Sequence, residues 1–598
     1  MQSSNQLSTS AETTIKAPEV RLWQRLVGAT KSQKINASTH LAFLLKALLA
    51  LFILIIVVWP LFRLTLEAIF PQGQLSFEPL LQAVHSPSTW RATTNSLITS
   101  FFGMLFALAL GTSLAFLVAL TNIRFKLLLV FCFMLPMMIP PQITALSWIQ
   151  VFGPSSALLK ALSLAPPLGS PNPVYSVEAI IILLGVQHAP LAFLVLRAAF
   201  RQIPRELIEA ARMSGAKGHR IAFSIVLPLL TPALTAAASL TFVSALGNFG
   251  IPAMLGIPES YYVLPTLIYR RLTSFGPSII SDVAILAVLI GIIGLAVVLL
   301  QIWVNKRIES RLMSKPGAPL HIPLKKLRLP IEIAMWLVIF LILVLPLTAL
   351  LATSLVPAYG VALTAQTATI DNFVEVIFRQ SATLRAFTNS GLLAFMTATA
   401  LAIIAIPLGY FLIWQKSRLA RLLATLAEMP YALPGVVLSI AIILVFLKPI
   451  PLVNISIYGT LTIILVAYLA RFLALALKPV IAGYQQLDPK LDEAAQLAGA
   501  GLARRLTQIA TPLLGPVAAA GGILVFMTAL NELTVSALLW SAGNETLGTL
   551  VYNLDDGGYT VLSSSLAVIT VLLILVIMLL AQLLSRWLPA GVLPWQLK

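Results

Sequence analysis

Residues 209–228 read E-A-A-R-M-S-G-A-K-G-H-R-I-A-F-S-I-V-L-P, a charged stretch set between long apolar ones. It returns at residues 493–512 as E-A-A-Q-L-A-G-A-G-L-A-R-R-L-T-Q-I-A-T-P, 284 residues later. Glu209/Glu493, Ala210/Ala494, Ala211/Ala495, Gly215/Gly499, Ile225/Ile509 and Pro228/Pro512 stay in register, and Pro232/Pro516 extend the match. A repeat on this scale divides the chain before any element is assigned. Other landmarks repeat at an offset of 294: Thr94-Asn95-Ser96 with Thr388-Asn389-Ser390, and Pro136 and Pro140 with Pro430 and Pro434. The first half therefore carries ten extra residues between the two sets, which we place in the Pro/Gly/Ser-rich segment 153–173.

The 598 residues are 59% hydrophobic and only 10% charged, with a mean hydropathy of +0.95. A soluble domain is about 25% charged, so the composition is that of an all-α polytopic membrane protein. A span needs about 20 mostly apolar residues. Twelve runs qualify: 41–61, 95–120, 127–152, 177–200, 226–255 and 279–304, then 331–355, 389–415, 421–447, 458–480, 512–540 and 561–585. With sides alternating, 29 of the 39 Lys and Arg fall in loops and span ends on one side, which also holds both termini. Such basic loops mark the cytosolic side, so the net charge of +18 implies membrane topology and not nucleic-acid binding. The expected organisation is a polar basic tail (1–40), a first repeat (41–305), a cytosolic linker (306–330) and a second repeat (331–598). An even number of spans per repeat makes the halves parallel, related by a pseudo-two-fold axis along the membrane normal. The first apolar run lacks a small-residue cleavage site and is read as a retained helix. Cys132 is the only cysteine, which excludes an internal disulfide and a Cys-cluster metal site.

Each Glu-Ala-Ala segment reads as two short helices with a turn between them. Pro204 and Pro489 suit a first helical position, and Asp488 is a good N-cap. Ala-Ala favours helix and leaves a small, flat surface. Gly215 and Gly499 allow a sharp turn, and Pro228 and Pro512 fall near the start of the next membrane helix. The result is an elbow projecting from the membrane, able to pass a push from a soluble partner to the helix behind it.

The pattern E-A-A, three residues, G, nine residues, I-x-L-P resembles the signature of the permease subunits of binding-protein-dependent ABC importers. The first copy fits it throughout, and the second departs only at Thr511, where Leu is expected. The resemblance covers both halves and implies a type I importer permease fold of two parallel six-helix repeats. It implies that Glu209, Ala210, Ala211, Gly215 and Pro228 serve one copy of a cytosolic ABC ATPase, and Glu493, Ala494, Ala495, Gly499 and Pro512 the other. Two fused halves, with Asn248-Phe249-Gly250 and Asn531-Glu532-Leu533, are similar to the ferric-iron branch. Thiamine, phosphonates, polyamines and inorganic anions stay open as substrates. A periplasmic or extracellular binding protein is implied, as is a bacterial inner-membrane location. The chain has no G-x-x-x-x-G-K-[ST], since Gly28-Ala29-Thr30-Lys31-Ser32 is too short. It is therefore expected to be no enzyme and to bind no cofactor or metal itself, with ATP used by the partner ATPase. The rival classes are an ion-coupled secondary transporter, which leaves the elbows unexplained, and a membrane scaffold.

Ionisable residues at membrane depth are functional candidates. Glu428 and Arg471 lie at similar depths on consecutive expected helices, and are expected to form an ion pair that sets packing. Asn248, Asn531 and Glu532, directly behind the elbows, are candidates to line the translocation path; the competing role is capping or bridging of neighbouring helices. Lys46 is expected to snorkel, and His188 to fill a bend beside Pro190.

Overall fold

The computed structural model describes residues 39–71, 78–167, 169–274, 279–307, 322–449, 454–584, 593, 595 and 596. Nearly all of the expected polar tail and most of the 306–330 linker lie outside these. Among the described residues the regular structure is helical, and the two halves run through the same nine elements. In the first half these are α1 (Thr39–Ile69), α2 (Pro87–Leu120), α3 (Lys126–Met138), α4 (Pro141–Val151), α5 (Val177–Arg201), α6 (Arg205–Met213), α7 (Phe223–Leu246), α8 (Leu264–Leu272) and α9 (Ile279–Arg307). In the second they are α10 (Lys325–Ser354), α11 (Ser381–Trp414), α12 (Arg418–Ala432), α13 (Gly435–Phe446), α14 (Leu461–Gln486), α15 (Lys490–Leu497), α16 (Leu502–Leu530), α17 (Leu547–Asp556) and α18 (Thr560–Leu584).

Ten of these helices are long and apolar enough to cross a membrane. The remaining two expected spans, 127–152 and 421–447, are not continuous. Each is a pair, α3–α4 and α12–α13, bent by 102° and 109°. The cause is local. A residue before proline is pushed out of the helical region, and Ile139 and Leu433 are extended at ψ 134° and 147°. Pro140 and Pro434 follow at ψ 136° and 140°. Two extended residues in succession turn the chain sharply in both halves. The expected spans 226–255 and 512–540 also end early, at Leu246 and Leu530.

The Thr-Asn-Ser repeat ties α2 and α11 to the segments that follow α7 and α16. Asn95 donates to the Tyr262 carbonyl (2.9 Å), and Ser96 Oγ accepts from the Leu264 amide (2.7 Å). Asn389 and Ser390 do the same for the Glu545 carbonyl (3.0 Å) and the Leu547 amide (2.9 Å). Both bonds fix the starts of α8 and α17.

The halves exchange their first helices. The end of α1 packs on α9 of its own half and on α13 of the other; the end of α10 packs on α18 and on α4. Thr353 Oγ1 donates to Gln150 Oε1 across this seam at 3.1 Å. On the elbow side, the Ile322 amide donates to the Leu120 carbonyl (2.7 Å) and the Arg124 amide to Glu332 (2.8 Å), stitching the start of the second half to the first. On the opposite side, the segment around the extra residues forms a short helix, Ala157–Ala161, capped by Ser156. Ala157 packs with Ala352 and Val356, and Lys160 Nζ donates to the Gly360 carbonyl.

Candidate functional site

The elbows are α6 and α15, each closed by the same turn. The Gly215 amide donates to the Arg212 carbonyl (2.9 Å) and the Ala216 amide to Ala211 (3.0 Å). Gly499 donates to Gln496 (2.9 Å) and Ala500 to Ala495 (2.9 Å). These paired bonds are a Schellman turn, which needs a left-handed residue four positions after the carbonyl that accepts the longer bond. Both glycines stand at φ +77°. The spacing from the second Ala to Gly is thus the turn's own geometry.

Burial repeats residue by residue over 205–216 and 489–500. Only Ile208 and Asp492 face inward, while Glu209, Ala210, Glu493 and Ala494 are exposed and Ala211 and Ala495 half-buried. At the tips, Met213 and Leu497 are each 91% exposed, with Leu207 and Leu491 each 44% exposed beside them. Large apolar side chains bared at matched positions off the membrane mark a surface meant to be covered. The charges differ: Glu209 is paired with Arg205 at 2.5 Å, whereas Pro489 stands at the equivalent place before Glu493. Beyond each turn the helix opens into one wide π-type turn, at 222–226 and 506–510, just before Pro228 and Pro512. This widening accommodates a residue with no N–H to donate. In both halves the helix runs on through this widening, from Gly218 and from Leu502, so Pro228 and Pro512 lie within it and not at its start.

The second cluster lies where the broken helices of the two halves meet. In the first half Gln187 donates to the carbonyl of Ile139, in the break, at 3.1 Å, and accepts from Thr144. Its counterpart Arg471 donates to the carbonyl of Leu433, also in the break, at 3.4 Å. Asn248 Oδ1 accepts from the Ile251 amide (3.1 Å), and its counterpart Glu532 Oε1 from the Val535 amide (3.0 Å). The repeat therefore conserves two tasks, satisfying the break and capping the turn after α7 or α16, and charges both only in the second half.

Those two charges pair with each other: Arg471 Nε lies 3.3 Å from Glu532 Oε2. The expected Glu428–Arg471 pair does not form. Glu428 lies before the break, on an exposed face of α12, whereas Arg471 of α14 reaches the Leu433 carbonyl at the break itself. The true pairing was legible in register, because Arg471 and Glu532 replace Gln187 and Asn248 together at the 284-residue offset.

Between the halves the contacts cross over. Asn531 Nδ2 donates to the carbonyl of Met138, at the first half's break, and to Met527 (2.9 Å). Its counterpart Gly247 lies against Pro434, where an added Cβ would come within 2.8 Å of the ring. Gln142 Nε2 donates to the Gly548 carbonyl at 3.4 Å. Gln142 Oε1 and Asn531 Oδ1 are buried without a partner at this seam. Of the three path candidates, Asn248 and Glu532 thus act within their own half, and Asn531 joins the halves. His188 is buried and bonded to the Leu184 carbonyl (2.7 Å) within its own helix, and Lys46 lies over the Phe411 ring at 4.8 Å.

A family model described as "binding-protein-dependent transport system inner membrane component" matches residues 107–313 and again 403–592, more than half of the chain. The chain belongs to this family. The permease is similar to a probable ABC transporter permease protein of Sinorhizobium fredii, 26% identical over 69% of this chain and 73% of that one. It is 25% identical to a ferric transport system permease protein of Actinobacillus pleuropneumoniae, over 90% of this chain and 77% of the other. A putative ferric transport system permease protein of Haemophilus influenzae is likewise 25% identical, over 86% and 79%. Among solved structures, a chain of a bacterial alginate ABC transporter covers 44% of the permease and 96% of its own length at 19% identity and a TM-score of 0.35. The permease is thus a multi-pass inner-membrane transport subunit of ABC-importer type, with two permease repeats in one chain.

Proposed function

We propose that this permease couples two copies of a cytosolic ABC ATPase to the import of ferric iron handed over by an external binding protein. The observation that carries the coupling is the identity of the two elbows: the same turn, the same glycine φ and the same 91% exposed apolar tip. Two equal docking surfaces fit two copies of one partner. Glu209 to Gly215 and Glu493 to Gly499 meet the ATPases, and the helices behind Pro228 and Pro512 carry the displacement to the seam between the broken helices. Asn531 latches that seam through Met138, and release of the latch opens the path. Both termini and both elbows face the cytosol, supported by the Lys/Arg distribution. Ferric iron rests on the two relatives named for ferric transport that align along most of this chain. Relatives named for molybdenum, xylose/arabinose or 2-aminoethylphosphonate align over less than 40% of it.

The test is reconstitution with the purified ATPase and binding protein, and measurement of ATP-dependent uptake of labelled ferric iron. Uptake that disappears in the double variant Met213→Asp/Leu497→Asp, together with ATPase retention, supports the coupling. Uptake of molybdate or a phosphonate in place of iron overturns the substrate and leaves the coupling standing.

A further inference from the structure

The two elbows share their turn and their apolar tip and differ inside. Asp492, the inward residue of α15, is 5% exposed and faces Arg505, 6% exposed, at 2.8 Å. Tyr410 of α11 completes the group. Its hydroxyl accepts from Arg505 Nη1 (2.8 Å) and lies 3.0 Å and 3.1 Å from the two Asp492 oxygens, to which it donates. Gln496 adds a fourth contact, Nε2 to Asp492 Oδ2 at 2.7 Å. The group joins both arms of the elbow to a membrane helix.

The first half supplies an internal control. At the repeat offsets, Asp492, Arg505 and Tyr410 become Ile208, Ile221 and Phe116. The backbone frame is the same, as a ring pair shows: Phe116 and Phe200 meet edge-on at 5.9 Å, and their counterparts Tyr410 and Tyr484 edge-on at 6.5 Å. The first half thus fills the inside of its elbow with the buried Ile208 and Ile221, with Phe116 partly exposed beside them. Burying an ion pair costs desolvation that its attraction often fails to exceed, and an apolar filling is commonly as stable. Arg505 Nε, moreover, is buried without a partner. Stability does not explain the polar group. Direction does: a charge-assisted network fixes distances and angles, whereas apolar contacts let surfaces slide.

We propose that Tyr410, Asp492 and Arg505 are positioning residues that lock the second elbow at a set angle to α11, making it a stiff transmitter and leaving the first elbow compliant. The inference rests on the reading of the elbows as ATPase contacts. Equal docking surfaces then produce unequal displacement, with the second half moving directly with its ATPase and the first following.

Hydrogen exchange tests the stiffness on the whole chain, alone and with its ATPase. Amides of 502–510 are expected to exchange about tenfold or more slowly than those of 218–226, as a locked unit does relative to one that opens locally. Equal exchange overturns the proposal. The triple variant Tyr410→Phe/Asp492→Ile/Arg505→Ile gives the second elbow the first one's filling and leaves no buried charge unpaired. It is expected to equalise the exchange, retain the ATPase and transport less than about half as much substrate per ATP, the lost work being spent in a loose joint. Native transport per ATP in a variant whose exchange has equalised overturns the positioning role. Absence of the ATPase from the wild-type preparation overturns the coupling reading instead, and the exchange comparison on the chain alone then still decides whether the second elbow is locked.

Discussion

Arg471 and Glu532 hold each other where the first half manages with Gln187 and Asn248. Removing one partner strands the other among buried groups, at a cost of about 3 kcal/mol. Arg471→Gln or Glu532→Asn alone is therefore expected to lower the melting midpoint in detergent. The double variant, which installs the first half's own pair, is expected to recover most of the loss; a double variant as unstable as the two singles combined would show that the charges act separately. Gly215 and Gly499 pose a different question, since a Cβ at either meets nothing within 4 Å. Only the left-handed backbone is at stake, about 1 kcal/mol for a residue with a side chain. Gly499→Asn is expected to keep ATPase binding within a few-fold and Gly499→Val to weaken it markedly, because asparagine tolerates that conformation and a β-branched residue does not. At the far side of the molecule, burial pushes the Asp555 carboxyl up from 3.8 to about 6. The folded chain then holds this proton more tightly than the unfolded chain, so the contribution of Asp555 to stability is full below about pH 4 and is lost as pH rises through about 6. Asp555→Asn is expected to raise the melting midpoint by about 2–4 °C at pH 7.5 and to leave it unchanged at pH 4, which thermal unfolding at the two pH values will show.

The elements that matter most are the two bent pairs, and proline chemistry sets both. Pro140 and Pro434 were visible in the sequence as repeated landmarks, yet hydropathy alone reads 127–152 and 421–447 as straight spans. Apolar composition reports burial in lipid or protein equally, and it says nothing of direction. The elbows were legible because their turn demands glycine at a set distance from alanine, a constraint that leaves a mark on residue type. The Asp492–Arg505–Tyr410 group was not, because its members are 82 and 13 residues apart and only tertiary packing brings them together. At the seam, Gly247 sits so close to Pro434 that a methyl group must displace backbone. Gly247→Val is expected to assemble and bind the ATPase but to lose most uptake, since overpacking costs about 1–3 kcal/mol and props the halves apart. Wild-type uptake by this variant would mean that the seam is not where the path closes.

On the scale of the whole molecule, α1 and α10 each embrace the opposite half, so neither half buries its broken helix alone. Cutting the chain after Lys315 and expressing both pieces together is expected to restore a working permease, whereas either piece by itself is expected to be degraded; membrane levels of tagged pieces give the answer. The ten continuous spans, the parallel repeat and the register of the elbows followed from hydropathy, residue offsets and charge, whereas hydropathy reads the two bent pairs as straight spans. The exchange of first helices did not follow either, because two spans of similar hydropathy carry no label saying which bundle they join.

Fusion also changes what selection can tolerate. Two half-size permeases made separately would have to find each other in equal numbers, and a membrane would also hold pairs of two first halves or two second halves. A chain that carries both delivers them one to one, and the short tether raises the local concentration of each for the other far above that of any rival. No wrong pairing then needs to be avoided, and the halves are free to diverge. The Arg471–Glu532 and Asp492–Arg505 pairs, which the first half lacks, are differences that such a tether permits.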